Sequence, residues 1–256
     1  EVKIQTEGST TTSAAILYDI LRKIPSNSEI RFELKSENKL SLKSDNADFN
    51  LLCLPTDNFP TFSDEFDGQE LNLNSGKFLK LLNKTKISIS NDDTRHYLNG
   101  VYIHLTEIQG RNFLTGVATD SHRLSSSSVE IKNINNFSAL ILPRKTVYQL
   151  CSLLSETTET VVIQLSENKI KFSIGNMKLV SKVIDGKFPD YRKVVPTNNQ
   201  KTLIVSSKDF INSIERVASV SIDRKEGVKL LINKDNVQLS VNSANSGDGN
   251  EKISAE

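Results

Sequence analysis

The chain has 256 residues, enough for about two domains, and its 32 basic and 31 acidic residues leave a net charge of only +1. This balance excludes a uniformly basic or acidic protein, so total charge alone identifies no partner. No apolar run approaches the roughly 18 residues of a membrane span, and no basic region precedes an apolar stretch at the N-terminus. The two cysteines, Cys53 and Cys151, lie in apolar patterns. We therefore expect a cytoplasmic protein with buried thiols and no membrane partner.

The first predicted elements are one helix and three strands. A Thr-Thr-Thr-Ser run caps a helix over 13–24, in which apolar side chains recur on one stripe. Apolar and charged residues then alternate over 29–35, which predicts a half-buried strand with Phe32 and Leu34 facing a core. Two more strands are predicted, one through Leu40 and Leu42 and one over 47–54.

A second kind of unit follows, with the helix between strands. The pattern predicts a strand over 70–74 and a helix over 75–86. Two longer strands are predicted over 98–106 and 112–119.

The first unit is then repeated. The tetrapeptide Ser-Glu-Asn-Lys occurs at 36–39 and again at 166–169, and each copy is followed by a Phe-Pro pair, at 59–60 and 188–189. The second copy has a helix with Pro143 as its first residue, and strands near 160–165, 169–174 and 178–184. Such self-similarity is typical of a modular array, in which equivalent faces act together.

The last segment repeats the second kind of unit, with a helix over 207–219 and a strand after Gly227-Val228. We therefore predict three similar domains: a C-terminal half at 1–66, a complete domain at 67–198 and an N-terminal half at 199–256. Strands at 1–6 and 237–256 would lack partners in such a chain, so we expect residues to be missing at both ends of a longer parent.

Positive charge is concentrated on one predicted helix. The segment 75–86 carries a net charge of +4, with Lys77, Lys80 and Lys84 opposite its apolar stripe. The four predicted helices together carry +7, so the remainder of the chain carries −6. Solvated helices are often rich in lysine, but equivalent helices lining one surface would form a positive track for a phosphate backbone. No zinc-finger spacing or base-reading element is present, which predicts binding that is independent of sequence.

Catalytic and metal motifs are absent from the sequence. Its three histidines form no zinc-binding pattern, and it has no phosphate-binding loop or nucleophile elbow. We expect no cofactor and no metal. One polar cluster, Asp120-Ser121-His122, leaves a hydrolase as an open alternative, although adjacent residues on an extended chain point to alternate sides.

Four motifs resemble those of one known family. Val-Ala-Thr-Asp-Ser-His-Arg-Leu at 117–124 resembles the signature of the bacterial sliding clamp, the β subunit of DNA polymerase III. Arg-His-Tyr-Leu-Asn-Gly-Val at 95–101, Leu-Pro-Arg-Lys at 142–145 and Val-Ile-Asp-Gly-Lys-Phe-Pro-Asp-Tyr-Arg at 183–192 fit the same family in the same order.

The resemblance implies an α+β DNA clamp fold made of helix-plus-three-strand units in three similar domains. It implies a head-to-tail homodimeric ring around double-stranded DNA, which tethers the replicative DNA polymerase and the clamp loader through short peptide motifs. The protein would be a processivity factor in DNA replication and not an enzyme. A partner-binding scaffold that does not encircle DNA remains the alternative.

The resemblance also assigns roles to individual residues. The groove for partner peptides is expected at Leu98, Thr119, Ser121, His122, Arg123, Leu124, Pro189, Lys193 and Val194. DNA contacts are expected at Arg22, Arg95, His96, Tyr97, Arg144 and Lys145, beside the three lysines of the second helix. The dimer interface is expected at Phe49, Leu51, Ser219 and Val220. Ser121 stands where the family usually has glycine, and Lys193 where it usually has arginine, which removes a planar hydrogen-bonding fork.

Overall fold

The computed structural model describes residues 3–60, 66, 68–132, 137–222 and 226–256. It divides into two compact units, Glu1–Phe188 and Pro189–Glu256. Both units contain helices and antiparallel sheets.

The first unit begins with one helix and a four-stranded sheet. Its elements are β1 (Thr11–Thr12), α1 (Ala14–Leu21), β2 (Arg31–Ser36), β3 (Lys39–Ser44) and β4 (Ala47–Leu54). The sheet has the order β1-β4-β3-β2. Ser13 caps α1 by accepting a hydrogen bond from the amide of Ile16, so the predicted cap is confirmed, although the helix is shorter than the predicted 13–24.

Among the described residues, the rest of this unit contains two α-helices and eight strands. In chain order these are β5 (Gln69–Asn74), α2 (Ser75–Thr85), β6 (Gly100–Ile108), β7 (Arg111–Thr119), β8 (Leu124–Glu130), β9 (Leu140–Pro143), α3 (Arg144–Ser155), β10 (Thr160–Leu165), β11 (Lys169–Ile174) and β12 (Met177–Lys182). They form two sheets, β8-β7-β6-β9 and β12-β11-β10-β5. The strand preceding each helix therefore pairs with the sheet of the other half, because β5 lies on β10 and β9 lies on β6.

One apolar core joins these two halves. The rings of Phe78 on α2 and Phe172 on β11 are stacked with their centroids 6.1 Å apart, and both residues are fully buried. Gly116 on β7 permits close packing, since a Cβ there would lie 2.5 Å from Cδ2 of Leu81. The stripe of α3 is buried on the same core; its members are Val147, Leu150, Cys151 and Leu154. Cys53 and Cys151 are both buried with reduced thiols, and burial raises the pKa of Cys151.

The repeat is visible in the backbone at a spacing of 130 residues. The helices α1 and α3 begin at Ala14 and Arg144. The pairing of Thr11 with Leu54 recurs as a bridge between Ile141 and Ile184. The predicted modular array is therefore confirmed in the first unit.

The two copies differ in burial. On α1 the stripe is only partly covered, and Ile16 is 53% exposed. Phe32 and Leu34 on β2 are 49% and 47% exposed, so the prediction of a half-buried strand was wrong. Because of a register shift between Leu34 and Ser36, Phe32 is the equivalent in the first copy of Ile163 in the second copy. Ile163 is buried, and β5 lies beside β10, the strand that carries it. Among the described residues no strand lies on the outer edge of β2.

In the second unit, the described residues form one α-helix and a three-stranded sheet. Its elements are α4 (Ser207–Ala218), β13 (Lys229–Ile232), β14 (Asn236–Ser243) and β15 (Gly247–Ser254). A small core forms around Val217, Val237, Leu239 and Val241. The prediction that 237–256 would lack partners was wrong, because β14 and β15 form a hairpin with each other and β14 also pairs with β13.

Other sequence predictions also need correction. Residues 3–6 form no strand. Pro143 is not the first helical residue; it ends β9 and forms the N-cap of α3. Leu98 ends a 3-10 segment over Asp93–Leu98 instead of beginning the strand predicted over 98–106. The strands β1, β8 and β9 were not predicted.

Candidate peptide groove and basic helix surface

The turn between β7 and β8, together with the strand residue on each side of it, contains five of the nine expected groove residues. Oγ1 of Thr119 donates a hydrogen bond to the carbonyl of Arg123 at 2.8 Å and accepts one from the amide of Ser121 at 3.1 Å. Thr119 also faces Leu124 in the register of the two strands. The turn is therefore closed by its own polar groups, which fixes where its side chains leave the backbone.

Asp120 organises the same turn from its other side. Its Oδ1 accepts hydrogen bonds from the amides of His122 and Arg123, both at 3.0 Å, and its Oδ2 accepts one from Nε of Arg123 at 3.0 Å. Burial raises the pKa of Asp120, but the hydrogen bonds from Arg123 and His122 outweigh it and hold the pKa below its ordinary value. The carboxylate is thus charged at neutral pH and serves to stabilise the turn.

A hydrogen bond connects this turn to a neighbouring segment. Nη1 of Arg95 donates to Oγ of Ser121 at 2.6 Å, and Nε of Arg95 donates to Oδ2 of Asp92 at 2.8 Å. Asp92 also accepts hydrogen bonds from the hydroxyl and the amide of Thr94. These bonds from Thr94, together with Arg95, lower the pKa of Asp92 to about 2. Arg95, which sequence analysis assigned to DNA, is thereby placed beside an expected groove residue.

The hydrolase alternative gains no support from this geometry. The Ser121 hydroxyl is bonded to the guanidinium of Arg95, which cannot act as a general base. The Asp120 carboxylate is bonded to backbone amides and to Arg123. The arrangement of a nucleophile, a base and an orienting acid is therefore not formed by these three residues.

The remaining groove residues differ in exposure. Leu98 is 3% exposed, whereas Leu124 is partly exposed. Pro189, Lys193 and Val194 belong to the second unit, where a 3-10 turn over Tyr191–Lys193 presents Val194 at 70% exposure. In that turn, Nζ of Lys193 lies 3.4 Å from Oδ2 of Asp190.

His96 and Tyr97 contact the segment that precedes the second Phe-Pro pair. A ring nitrogen of His96, Nε2, lies 3.2 Å from the carbonyl oxygen of Asp185. The backbone approaches closely at Gly186, where a Cβ would lie 3.1 Å from Cβ of Tyr97. Phe188 then stacks on Tyr102, with ring centroids 4.8 Å apart. Its counterpart Phe59 is 63% exposed.

The expected basic face of α2 is present. Lys77, Lys80 and Lys84 are exposed, while Phe78, Leu81 and Leu82 on the opposite face are completely buried. Within the described ranges, none of the three lysines takes part in an ion pair. Because the apolar face is fixed in the core, α2 presents these three cations to solvent.

A further cation, which the sequence predictions counted in the charge of residues 75–86 but gave no role, lies between α2 and α3. Nζ of Lys86 is 5.5 Å from the ring centroid of Tyr148, and the guanidinium of Arg144 is 5.4 Å from the same centroid. Lys145 is exposed beside them. The repeat relates this cluster to the first copy, because Tyr18 lies 130 positions before Tyr148. The guanidinium of Arg22 lies 5.9 Å from the ring centroid of Tyr18.

The residues assigned to the dimer interface lie in both units. Phe49 is partly exposed and lines a cavity of about 610 Å³ with residues of α1. Leu51 is 8% exposed and packs into the core of its own sheet. In the second unit Ser219 is exposed after α4, and its hydroxyl donates to the carbonyl of Arg216 at 2.7 Å, while Val220 is partly buried. The interface assignment stays a prediction.

No helix within the described ranges is long and apolar enough to cross a membrane. The same described residues contain no group of three or more His, Cys, Asp or Glu side chains that could hold a metal ion.

Three known domain families match successive parts of the chain. Residues 1–63 match the DNA polymerase III beta subunit N-terminal domain, 72–190 its central domain and 192–256 its C-terminal domain. The beta sliding clamp of Caulobacter vibrioides is 33% identical over 253 residues, which are 98% of this chain and 68% of that protein. The beta sliding clamp of Rickettsia felis is 36% identical over 259 residues, with 99% of this chain and 67% of that protein covered.

Solved structures agree with these relatives. The sliding clamp of Bartonella birtlesii bound to griselimycin superposes with a TM-score of 0.93 at 39% identity, covering 99% of this chain and 68% of that one. The DNA polymerase sliding clamp of Caulobacter crescentus superposes with a TM-score of 0.88 at 33% identity, again with 99% and 68% covered. The predicted α+β clamp fold and the resemblance are confirmed. The chain belongs to the DNA polymerase III beta subunit family, the beta sliding clamps, which are non-catalytic processivity subunits of that polymerase.

Proposed function

We propose that this chain acts in a ring-shaped homodimeric clamp in the bacterial cytoplasm, which encircles duplex DNA and holds the replicative polymerase on it. The observation that carries the proposal is the solvent face of α2, where Lys77, Lys80 and Lys84 stand opposite a fully buried apolar face. Phosphate groups are the natural partners of such a face, because lysine offers a point charge without base-specific geometry. Binding is then independent of DNA sequence and sensitive to salt.

The helix α3 extends this surface. It packs beside α2 in the same core, and it carries Lys145 and the Arg144–Tyr148–Lys86 cluster. His96 and Tyr97 are retained as proposed DNA contacts on the strength of the motif at 95–101. Arg22 is retained as well, although its guanidinium lies 3.2 Å from the carboxylate of Asp19.

A peptide groove is the second part of the proposal. In the first unit, Leu98 and Leu124 would supply apolar contacts for an anchor side chain, and Thr119, Ser121, His122 and Arg123 would orient the peptide. Pro189, Lys193 and Val194 of the second unit are retained as proposed peptide contacts on the strength of the family resemblance. Polymerase and clamp-loader peptides are the proposed ligands. Griselimycin is a proposed ligand of this chain too, because the related Bartonella clamp binds it.

The domain assignment is also a proposal. The halves at 1–66 and 199–256 would each be completed by a partner half like those joined in 67–198. Exposure in the first copy supports this, because Phe32, Leu34 and Phe59 are about half exposed or more, whereas the counterparts Ile163, Leu165 and Phe188 are buried. Phe49, Leu51, Ser219 and Val220 would then join two subunits head to tail.

The experiment measures retention of the full-length protein on closed circular DNA as the salt concentration rises. The variant replaces Lys77, Lys80 and Lys84 by glutamate. Retention is expected to fall, and the slope of log affinity against log salt is expected to decrease by roughly 0.9 for each phosphate group that the variant no longer neutralises.

A matched variant separates this effect from total charge. Lys39, Lys132 and Lys234 are also exposed but lie outside the helices, so replacing them by glutamate changes the net charge equally. This control is expected to be retained like the wild type. Equal losses in both triple variants, or none in either, would contradict the α2 surface and favour a scaffold that does not encircle DNA.

A further inference from the structure

Ser121 has an unusual backbone conformation. Its φ is +76°, in the left-handed region, which favours glycine and is uncommon for other residues. The amide of Ser121 is held by Oγ1 of Thr119 within the same turn. A serine in this conformation needs a compensating interaction, and its hydroxyl provides one by accepting the 2.6 Å hydrogen bond from Arg95.

Arg95 is held at two points. Asp92 binds Nε and Ser121 binds Nη1, so within the described part of the chain two of the five guanidinium donors are engaged and the others remain for a ligand. Two anchors fix the plane of the guanidinium, whereas either one alone would leave it able to rotate.

The hydrogen bond also joins two elements that are 26 residues apart. Arg95 lies in the 3-10 segment that ends at Leu98, at a non-helical backbone position with φ −113° and ψ 57°. Ser121 lies in the turn that leads to Leu124. Each of these elements therefore supplies one apolar residue of the proposed groove.

We propose that Ser121 is a positioning residue of the peptide groove, which ties the 119–124 turn to the 92–98 segment through Arg95. The inference rests on the proposed groove. It assigns Arg95 to peptide binding instead of the DNA surface. An anchored turn loses less conformational freedom when a ligand binds, so the tie increases affinity without needing a direct contact from Ser121.

The test compares three single variants with the wild type. Ser121→Gly keeps the left-handed backbone but removes the hydroxyl. Ser121→Asn keeps a side-chain acceptor in a residue that tolerates positive φ. Gln109→Gly is the matched control, because Gln109 also has a positive φ of 52° but lies in the turn between β6 and β7, away from the proposed groove.

Affinity is measured by calorimetry for griselimycin and by fluorescence polarisation for a labelled C-terminal peptide of the replicative polymerase. Ser121→Gly is expected to weaken both about fivefold, equivalent to about 1 kcal/mol. Ser121→Asn is expected to stay within about twofold of the wild type, and Gln109→Gly to match it. Thermal unfolding of each variant, measured in parallel, identifies any loss caused by misfolding.

The coupling to Arg95 is tested by Arg95→Gln alone and in combination with Ser121→Gly. The double variant is expected to bind no more weakly than Arg95→Gln, because both changes break the same tie. Equal binding by the wild type and Ser121→Gly, or additive losses in the double variant, would overturn the inference while leaving the groove intact. Failure of the wild type to bind either ligand would overturn the groove itself, and the inference with it.

DNA retention supplies an independent check. Arg95→Gln is expected to leave the salt slope unchanged, since the guanidinium serves the groove. A slope lowered by about 0.9 would instead return Arg95 to the phosphate contacts and refute its assignment to the groove.

Discussion

The packing of α2 against its sheet predicts a specific coupling between Gly116 and Leu81. A Cβ at residue 116 would lie 2.5 Å from Cδ2 of Leu81 and 3.3 Å from Cγ1 of Val101. Leu81 and Val101 are both completely buried, so neither side chain can move away without disturbing the core. Gly116→Ala should therefore destabilise the protein by about 1–3 kcal/mol through overpacking.

Removing the obstructing side chain should reverse much of that effect. Leu81→Ala alone leaves a cavity and is expected to cost about 2–5 kcal/mol. In the double variant the new methyl group occupies part of the vacated space, so the combined loss should fall short of the sum by about 1 kcal/mol or more. Unfolding in urea, followed by circular dichroism, measures each value.

The control is Gly8→Ala, since a Cβ at Gly8 would meet no atom within 4 Å. Its stability should change by no more than about 0.5 kcal/mol. Strictly additive losses in the Gly116 and Leu81 variants would refute the reasoning, because they would mean that the new methyl group and Leu81 do not compete for one space.

Three further predictions concern the proposed surfaces. Leu124→Ala or Pro189→Ala should weaken binding of a polymerase C-terminal peptide in fluorescence polarisation, because each removes apolar surface that is proposed to contact the peptide; equal affinities in all three proteins would argue against the groove. Tyr148→Ala should weaken DNA retention more than Tyr148→Phe, since phenylalanine keeps the ring near Lys86 and Arg144. Identical losses in the two variants would show that the ring does not orient those cations. The pKa of Asp92 is lowered to about 2, so its contribution to stability should be complete above its ordinary pKa of 3.8 and be lost progressively as the pH falls from there through about 2. A carboxyl titration by NMR with a midpoint near 3.8 would contradict the hydrogen bonds from Thr94 and Arg95.

Much of the local structure was predictable from sequence because it depends on local patterns. The helix over 75–86 and the strand over 47–54 were placed within a residue of their observed limits by periodicity alone. The pairing of β5 with β10 and of β9 with β6 was not predictable, because the sequence of a strand does not indicate which distant strand it pairs with. The strand β8 was missed because its run of four serines carries no apolar alternation.

The candidate groove was predictable as a list of residues but not as a geometry. The motif at 117–124 identified the turn, and its resemblance to the family supplied the roles. The positive φ of Ser121 and its bond to Arg95 could not be derived from those letters, because the bond joins side chains from two separate segments. The burial of Leu98 and Leu51 was not predictable either, since the sequence of a motif does not distinguish an apolar residue that faces a ligand from one that faces the core.

Counting charges along the sequence overstates the number of cations available to DNA. Arg22 and Arg95 each lie within 3.2 Å of an aspartate oxygen, so each pair is close to neutral. Lys77, Lys80 and Lys84 have no such partner within the described residues. The attraction for phosphate should therefore be concentrated on α2 and the adjoining start of α3, instead of being shared equally among the repeated helices. This uneven distribution follows from the net charge of +4 on residues 75–86 together with the ion pairs of Arg22 and Arg95, and not from the repeat, which by itself would predict equivalent contributions from α1 and α3.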